Sequence, residues 1–486
     1  MIALTLDLPT LNHGVTMSDE HTVKRFSNAQ VVLPDQGLVI CDVITQGGKI
    51  TGLGAYDAHK HNPAGAHVEE IDLKGLVMMP GVIDPHLHLG HGKDIARPRV
   101  PDDAATESAA AAVGGITTFI PYLMSTEPFE TQFDEVRAVT QAGSRIDFGY
   151  HFIISTEAQL AGVPLYAREH GVTSFKIFMN NRGGEGARLG LPDIDDGYLF
   201  RLCEAAAAHG GVVCPHPETI EIAWVLRERL KQSDPEGKGG LATWNASRPD
   251  FVEADAVQRA AYLGKVTGAP VYIVHTSSQA ALDAALMQRR AGSRVTIETC
   301  PHYLTHDETW SGGVVGKINP PLRAAKDREA LWQAIADGHV DTIGTDHVHR
   351  DISFKSASVW DASPGCPGLE TLLPVMLSEG HAKRSLPLAR IAELTATNVA
   401  KAFGLSDRKG SIAVGMDADF AVIDPEARWV VDKQHLKSSA GYSIYEGQEL
   451  TGRVIHTVLR GRMIMRDLQL DDQAVGGGRY LSRLPV

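Results

Sequence analysis

Between residues 81 and 405 short apolar runs alternate with helical segments, and this rhythm limits the possible fold more than any other feature of the chain. The runs recur at 81–88, 116–123, 146–155, 172–179, 211–216, 270–276, 294–300 and 340–346. Between most of them lie helical stretches such as D-A-A-T-E-S-A-A-A-A-V (103–113), L-F-R-L-C-E-A-A-A-A-H (199–209) and D-R-E-A-L-W-Q-A-I-A-D (327–337). Gly-Gly pairs at 114–115 and 210–211 stand where such helices should stop. Strand and helix in alternation imply a parallel sheet, and eight repeats predict an α/β fold, a closed (β/α)8 TIM-like barrel over 81–405. An open doubly wound sheet is the alternative, but no G-x-G-x-x-G follows the first run. Residues 220–250 read as an insertion after the fifth strand, and 366–403 as additional helices.

The two ends differ from the middle. Residues 27–80 are strand-like, and V-I-T-Q-G-G-K-I-T-G-L-G (43–54) sets Gly47-Gly48 between two alternating runs, a hairpin signal. Residues 406–486 are strand-rich again, as in F-A-V-I-D-P (420–425) and V-I-H-T-V-L-R-G-R-M-I-M (454–465). The expectation is one small β-sandwich domain assembled from 27–80 and 406–486. Residues 1–26 show no period and read as an N-terminal arm.

Composition excludes several classes. A net charge of -13 disfavours a nucleic-acid partner, which would want a basic face. No apolar run approaches the roughly 18–20 residues that span a bilayer, and the first residues lack the basic start of a secretory signal. The five cysteines (Cys41, Cys203, Cys214, Cys300 and Cys366) are scattered, with no C-x-x-C. They read as reduced thiols of a cytoplasmic protein, neither a disulfide framework nor a thiolate zinc site. Any metal must then be held by nitrogen and oxygen.

Chemistry in such a barrel sits at the C-terminal ends of the strands. There the chain places His86 and His88 in V-I-D-P-H-L-H, Lys176 in S-F-K-I-F-M, and His216 in V-V-C-P-H-P-E. His275 follows in V-Y-I-V-H-T-S-S and Asp346 in I-G-T-D-H. Each alone has an ordinary reading, as a satisfied strand-end histidine or a helix-capping aspartate. Four histidines, a lysine and an aspartate at one rim are hard to obtain from packing. An ammonium between Phe175 and Phe178 is costly unless paired or neutralised. Five ligand groups exceed the three that hold one open catalytic zinc, and two metals need a bridging anion. A lysine amine that has reacted with carbon dioxide supplies one, as a carbamate.

With those residues in place the chain resembles the cyclic amidohydrolases of the amidohydrolase superfamily (dihydropyrimidinase, hydantoinase, allantoinase, dihydroorotase). G-V-I-D-P-H-L-H, G-G-I-T-T-F, S-F-K-I-F-M, V-H-T-S-S, E-T-C-P-H-Y-L, N-P-P-L-R and G-T-D-H appear in family order, and G-S-I-A-V-G-M-D-A-D-F-A-V-I-D-P (410–425) leads back into the β domain. The resemblance implies two divalent metal ions, zinc by ligand type. His86, His88 and Asp346 would hold one and His216 and His275 the other, with N6-carboxylated Lys176 between them. It also implies that a hydroxide shared by the metals opens a cyclic amide, imide or ureide ring, Asp346 taking its proton and passing it to the leaving nitrogen. A small-molecule substrate and a homo-oligomer, tetramer or dimer, are expected.

Departures from the family pattern concern substrate. Asn181 stands where dihydropyrimidinases usually have an oxyanion-stabilising tyrosine, Asn319 replaces a serine before P-P-L-R, and the P-N-G loop is replaced within S-P-G-C-P-G (363–368). No arginine follows H-x-H, which disfavours dihydroorotate. Asn181, His302 and Asn319 are the expected substrate contacts and lean toward allantoinase-like members, the alternative reading. A non-catalytic scaffold of the same fold would lack the ligands, and a mononuclear deaminase would lack the lysine. The loop N-N-R-G-G-E-G-A-R-L-G, with Arg182 and Arg188, reads either as a lid or as a solvated loop. His347 and His349 are expected to be outer or surface residues.

Overall fold

The apolar runs become eight parallel staves because each is buried on both faces, toward the barrel interior and under the surrounding helices. In the computed structural model, which describes residues 22–34, 36–62, 65–92, 94–355 and 358–486, seven staves pair in sequence order. They are β1 (Val82–His88), β2 (Ile116–Leu123), β3 (His151–Ile153), β4 (Ser174–Phe178), β5 (Val212–His216), β6 (Val271–Ile273) and β7 (Val295–Thr299). Every residue of β1 and β2 is buried. The eighth stave, β8, comes in two pieces. Thr342–Ile343 pairs with β7 and His347–Val348 pairs with β1, so the ring closes across Gly344–Asp346.

The helices follow the predicted rhythm. Helix Pro101–Val113 lies flat against the barrel because its inward face is small: Ala104, Ser108 and Ala109–Ala112 are buried. It stops at Gly114-Gly115, where Gly115 takes φ +79° and a Cβ on Gly114 would sit 2.1 Å from the Leu369 carbonyl oxygen. The 220–250 insertion forms helices Ile220–Ser233 and Gly240–Ser247. Segment 366–403 contains three short α-helices interrupted by π-helical turns at Met376–Ala382 and Glu393–Thr397.

Both chain ends enter a second, nine-stranded and mainly antiparallel sheet. Strand Val77–Pro80, from the N-terminal part, pairs with Phe420–Val430 from the C-terminal part. The Gly47-Gly48 turn has φ +58° and +80° and joins strands that meet at Gln46 and Lys49. One face encloses a core of its own, including Phe26, Val43, Met78, Phe420 and Val458, while Val77, Met79, Ile423 and Val454 join the barrel's core. Of the expected arm, residues 1–21 lie outside the described residues, and the first strand begins at Val23.

A buried ion cluster also joins the two parts. The Lys409 ammonium lies 2.6 Å from Asp147 beside β3 and 2.9 Å from Asp417, and pairs with Asp419 as well, while Arg460 binds Asp147 from the other side. Those three carboxylates could otherwise gather a metal, but the ammonium already occupies the place between them. Among the described residues, no helix is long and apolar enough to cross a membrane.

Candidate metal centre

Alternation along β1 turns Asp84, His86 and His88 to one face. Asp84 is wholly buried and ties β1 to β8. Its Oδ1 accepts from the His86 and Thr345 amides at 3.1 and 3.0 Å, and its Oδ2 accepts from the Thr345 hydroxyl at 2.6 Å. Burial pushes its pKa up to about 6. Thr345 delivers the next residue, Asp346, with φ +49°, a left-handed conformation that a residue with a Cβ adopts only when its surroundings hold it there. Asp346 Oδ1 then lies 3.2 Å from His86 Nε2 and 3.8 Å from His88 Nε2. Burial favours its neutral acid, but His86 beside it outweighs that and holds the carboxyl well below the usual range.

The His86 ring is oriented from behind. Its Nδ1 is 2.6 Å from Glu298 Oε1 and donates to it, which leaves Nε2 facing the Asp346 oxygen. Burial opposes a charge on this ring, but Glu298 and Asp346 raise its pKa, so either a proton or a metal ion can satisfy the Nε2–Oδ1 pair. The donor set therefore fits a cation.

Lys176 lies in the middle of β4, with its amine 3.4 Å from His86 Nε2. Tyr122 and Phe178 cover the amine, with ring centres 4.5 and 5.6 Å away. The residue is 1% exposed, and burial drives its pKa down from the ordinary lysine value.

His216 and His275 form the other half. His216 Nε2 lies 2.7 Å from Glu218, whose carboxylate Arg248 holds at 2.6 Å. His216 Nδ1 thereby faces His275 Nε2 at 2.9 Å. His275, like Asp346, is in the left-handed region, with φ +41°, and its backbone N–H donates to Glu298 Oε1 at 2.8 Å. Burial keeps both imidazoles, and that of His88 (down to about 3), in the neutral form that ligates metals. The two halves touch: the His86 and His275 ring centres are 5.4 Å apart.

The six residues read as ligands thus meet in one buried cluster. The three read as substrate contacts lie outside it, and among the described residues none shares a hydrogen bond with the six. His302 is buried with its Nε2 unpartnered, and burial lowers its pKa to about 3. Asn319 accepts through Oδ1 from the Trp244 indole N–H at 3.1 Å. Asn181 is buried, and its amide lies against Gly186, where a Cβ would come within 3.0 Å of it.

The glycine-rich loop is pinned to helix Ile220–Ser233. Arg182 pairs with Glu221 at 2.9 Å and with Asp196, and Glu185 accepts from Trp224 at 2.8 Å and from Arg227. Its first arginine is therefore committed to protein carboxylates; the side chain of Arg188 lies outside the described residues. His347 and His349 are not surface residues. His347 is buried 3.0 Å from Glu107, and His349 Nδ1 lies 3.3 Å from the His88 carbonyl.

Sequence reading passed over Asp84, Glu218, Glu298 and Arg248. A signal existed for two of them: a carboxylate within an apolar run, as in V-I-D-P and V-T-I-E-T-C, has to be held by several donors. Arg248 gave none, since its partner lies in a different segment.

A family profile described as Amidohydrolase family matches residues 253–464. D-hydantoinase of Geobacillus stearothermophilus is 31% identical over 457 residues, covering 91% of this chain and 93% of that protein. Allantoinase of Escherichia coli is also 31% identical, over 450 residues, covering 90% of this chain and 94% of its own length. Among solved structures, one of D-hydantoinase superposes with a TM-score of 0.85 at 29% identity, over 95% of this chain and 99% of that one. Dihydropyrimidinase from Brevibacillus agri NCHU1002 superposes with a TM-score of 0.84 at 28% identity and the same coverage.

Proposed function

The chain belongs to the amidohydrolase superfamily as one of its cyclic amidohydrolases, and from that premise we propose that it hydrolyses a ring C–N bond in a small cyclic amide, imide or ureide, as dihydropyrimidinases and hydantoinases do. The observation that carries the reading is the buried convergence of four imidazoles, one carboxylate and one amine, with acceptor atoms facing each other.

In this reading His86, His88 and Asp346 hold one divalent ion, His216 and His275 the second, and N6-carboxylated Lys176 joins them. Burial supports the carbamate, because it drives the Lys176 amine toward the neutral form that adds carbon dioxide. The ions, zinc by ligand type, supply an activated water and a polarised carbonyl oxygen. Asp346, kept ionised, takes a proton at Oδ and hands it to the leaving ring nitrogen. His302, neutral and with Nε2 unpartnered, meets a polar edge of the ring, and Asn181 and Asn319 present amides to its carbonyls. A homo-oligomer and a cytoplasmic location complete the proposal; five unpaired thiols, four of them buried, support a reducing compartment.

Allantoin is the second candidate ring, favoured by the asparagines at 181 and 319. The test is a panel of dihydrouracil, hydantoin, allantoin, a simple cyclic imide and dihydroorotate, given to protein of measured metal content. Turnover of one of the first four, with dihydroorotate poor, is expected. Protein holding two metals per chain that opens none of the rings overturns the reading, and intact protein that takes up no metal points to a scaffold.

A further inference from the structure

One buried carboxylate stands behind both halves of the centre. Glu298 Oε1 accepts from His86 Nδ1–H at 2.6 Å and from the His275 backbone N–H at 2.8 Å, and its Oε2 accepts from the Tyr272 hydroxyl at 2.9 Å. The carboxylate is wholly buried and has little room to move: a Cβ on Gly344 would come within 2.7 Å of Oε2 and 2.8 Å of the His86 Cβ. The two Oε1 contacts perform different tasks. The first fixes the His86 tautomer and so directs the Nε2 lone pair at Asp346 and Lys176. The second holds the strained backbone of His275, which aims its Nε2 at His216. Glu218 is the contrast, because it touches only His216 among the six.

We propose that Glu298 is a positioning residue shared by the two metal subsites, so that its charge and reach set the affinity of both ions together, whereas Glu218 sets that of one. Carboxylates behind a ligating imidazole raise its basicity and fix its orientation, and their loss typically weakens metal binding about 10–100-fold. The inference rests on the two-ion reading above.

The experiment uses full-length protein loaded with zinc, titrated with a chromophoric chelator while the zinc retained per chain is measured by elemental analysis. In Glu298→Gln both ions should leave at a free zinc concentration about 10–100-fold higher than in the wild type. In Glu218→Gln only one should shift. A Glu298→Gln protein in which one ion or neither shifts overturns the inference. If that variant does not fold, Glu298→Asp, which keeps the charge but falls short of both donors, replaces it under the same criterion. A purely structural staple would lower the melting temperature of the metal-free variant and leave the zinc titration unchanged, which also overturns the inference. Wild-type protein that binds fewer than two ions refutes the two-ion reading itself, and the variants then have no shared centre to report on.

Discussion

At the scale of single residues, the centre depends on atoms whose orientation is imposed from outside. Lys176 has rings and an imidazole around its amine instead of a carboxylate partner within bonding distance among the described residues. If Lys176 bridges as proposed, Lys176→Ala should lose both metal and turnover, and a small carboxylic acid should restore part of each by taking the place of the proposed carbamate. Full activity of that variant without additive refutes the bridging role. For Asp346→Asn the fold should persist, since Asp84 and Thr345 still hold the turn, while kcat falls by about 10²–10⁴, the range expected for a lost general base. Near-normal kcat would move the proton transfer to another group. The six clustered residues were legible because each is a polar residue at or near the end of an apolar run, or, for Lys176, within one. Their outer partners were less so: Glu218 lies next to a legible histidine, but Arg248, which holds it, is thirty positions away in sequence and adjacent only in space.

At the scale of elements, the eight staves and their helices follow from periodicity alone, because burial on both faces leaves a continuous apolar run as the visible trace. Contacts between elements that are distant in sequence leave no such trace. Helix Pro101–Val113 carries the buried Glu107, which accepts from the Ser439 amide and hydroxyl of the C-terminal segment. Nearby, Glu370 accepts from the Lys437 amide at 2.8 Å. Burial, with Glu107 as a like charge, raises the Glu370 pKa from 4.5 to about 7. A carboxyl whose pKa is higher in the folded than in the unfolded state adds stability that is full below about pH 4.5 and is lost as pH rises through about 7. Glu370→Gln should therefore stabilise the protein at pH 8, by at most about 3 kcal/mol, and change little at pH 4.5. Melting curves at the two pH values check this, and equal shifts at both would show that titration is not the cause.

At the scale of the whole molecule, the expectation of a composite β domain rested on strand-rich composition at both ends. What composition could not convey is how that domain is fastened to the barrel. Besides the shared apolar core, the fastening includes the Lys409 cluster, whose charges are drawn from residues 147, 409, 417, 419 and 460, with Asp147, Lys409 and Asp419 buried and Asp417 and Arg460 partly so. Removing one partner leaves the others uncompensated in a medium that solvates them poorly. Lys409→Met should destabilise the protein by about 3–5 kcal/mol, measured by denaturant unfolding. A loss below about 1 kcal/mol would mean that water reaches the cluster.

The interruption of the eighth stave joins closure of the ring to assembly of the centre. The segment that seals the ring is also the one that delivers Asp346, so the turn that completes the barrel also completes the cluster of six side chains. A substitution that loosened Gly344–Asp346 would therefore disturb the seam of the barrel and the cluster of six side chains at once.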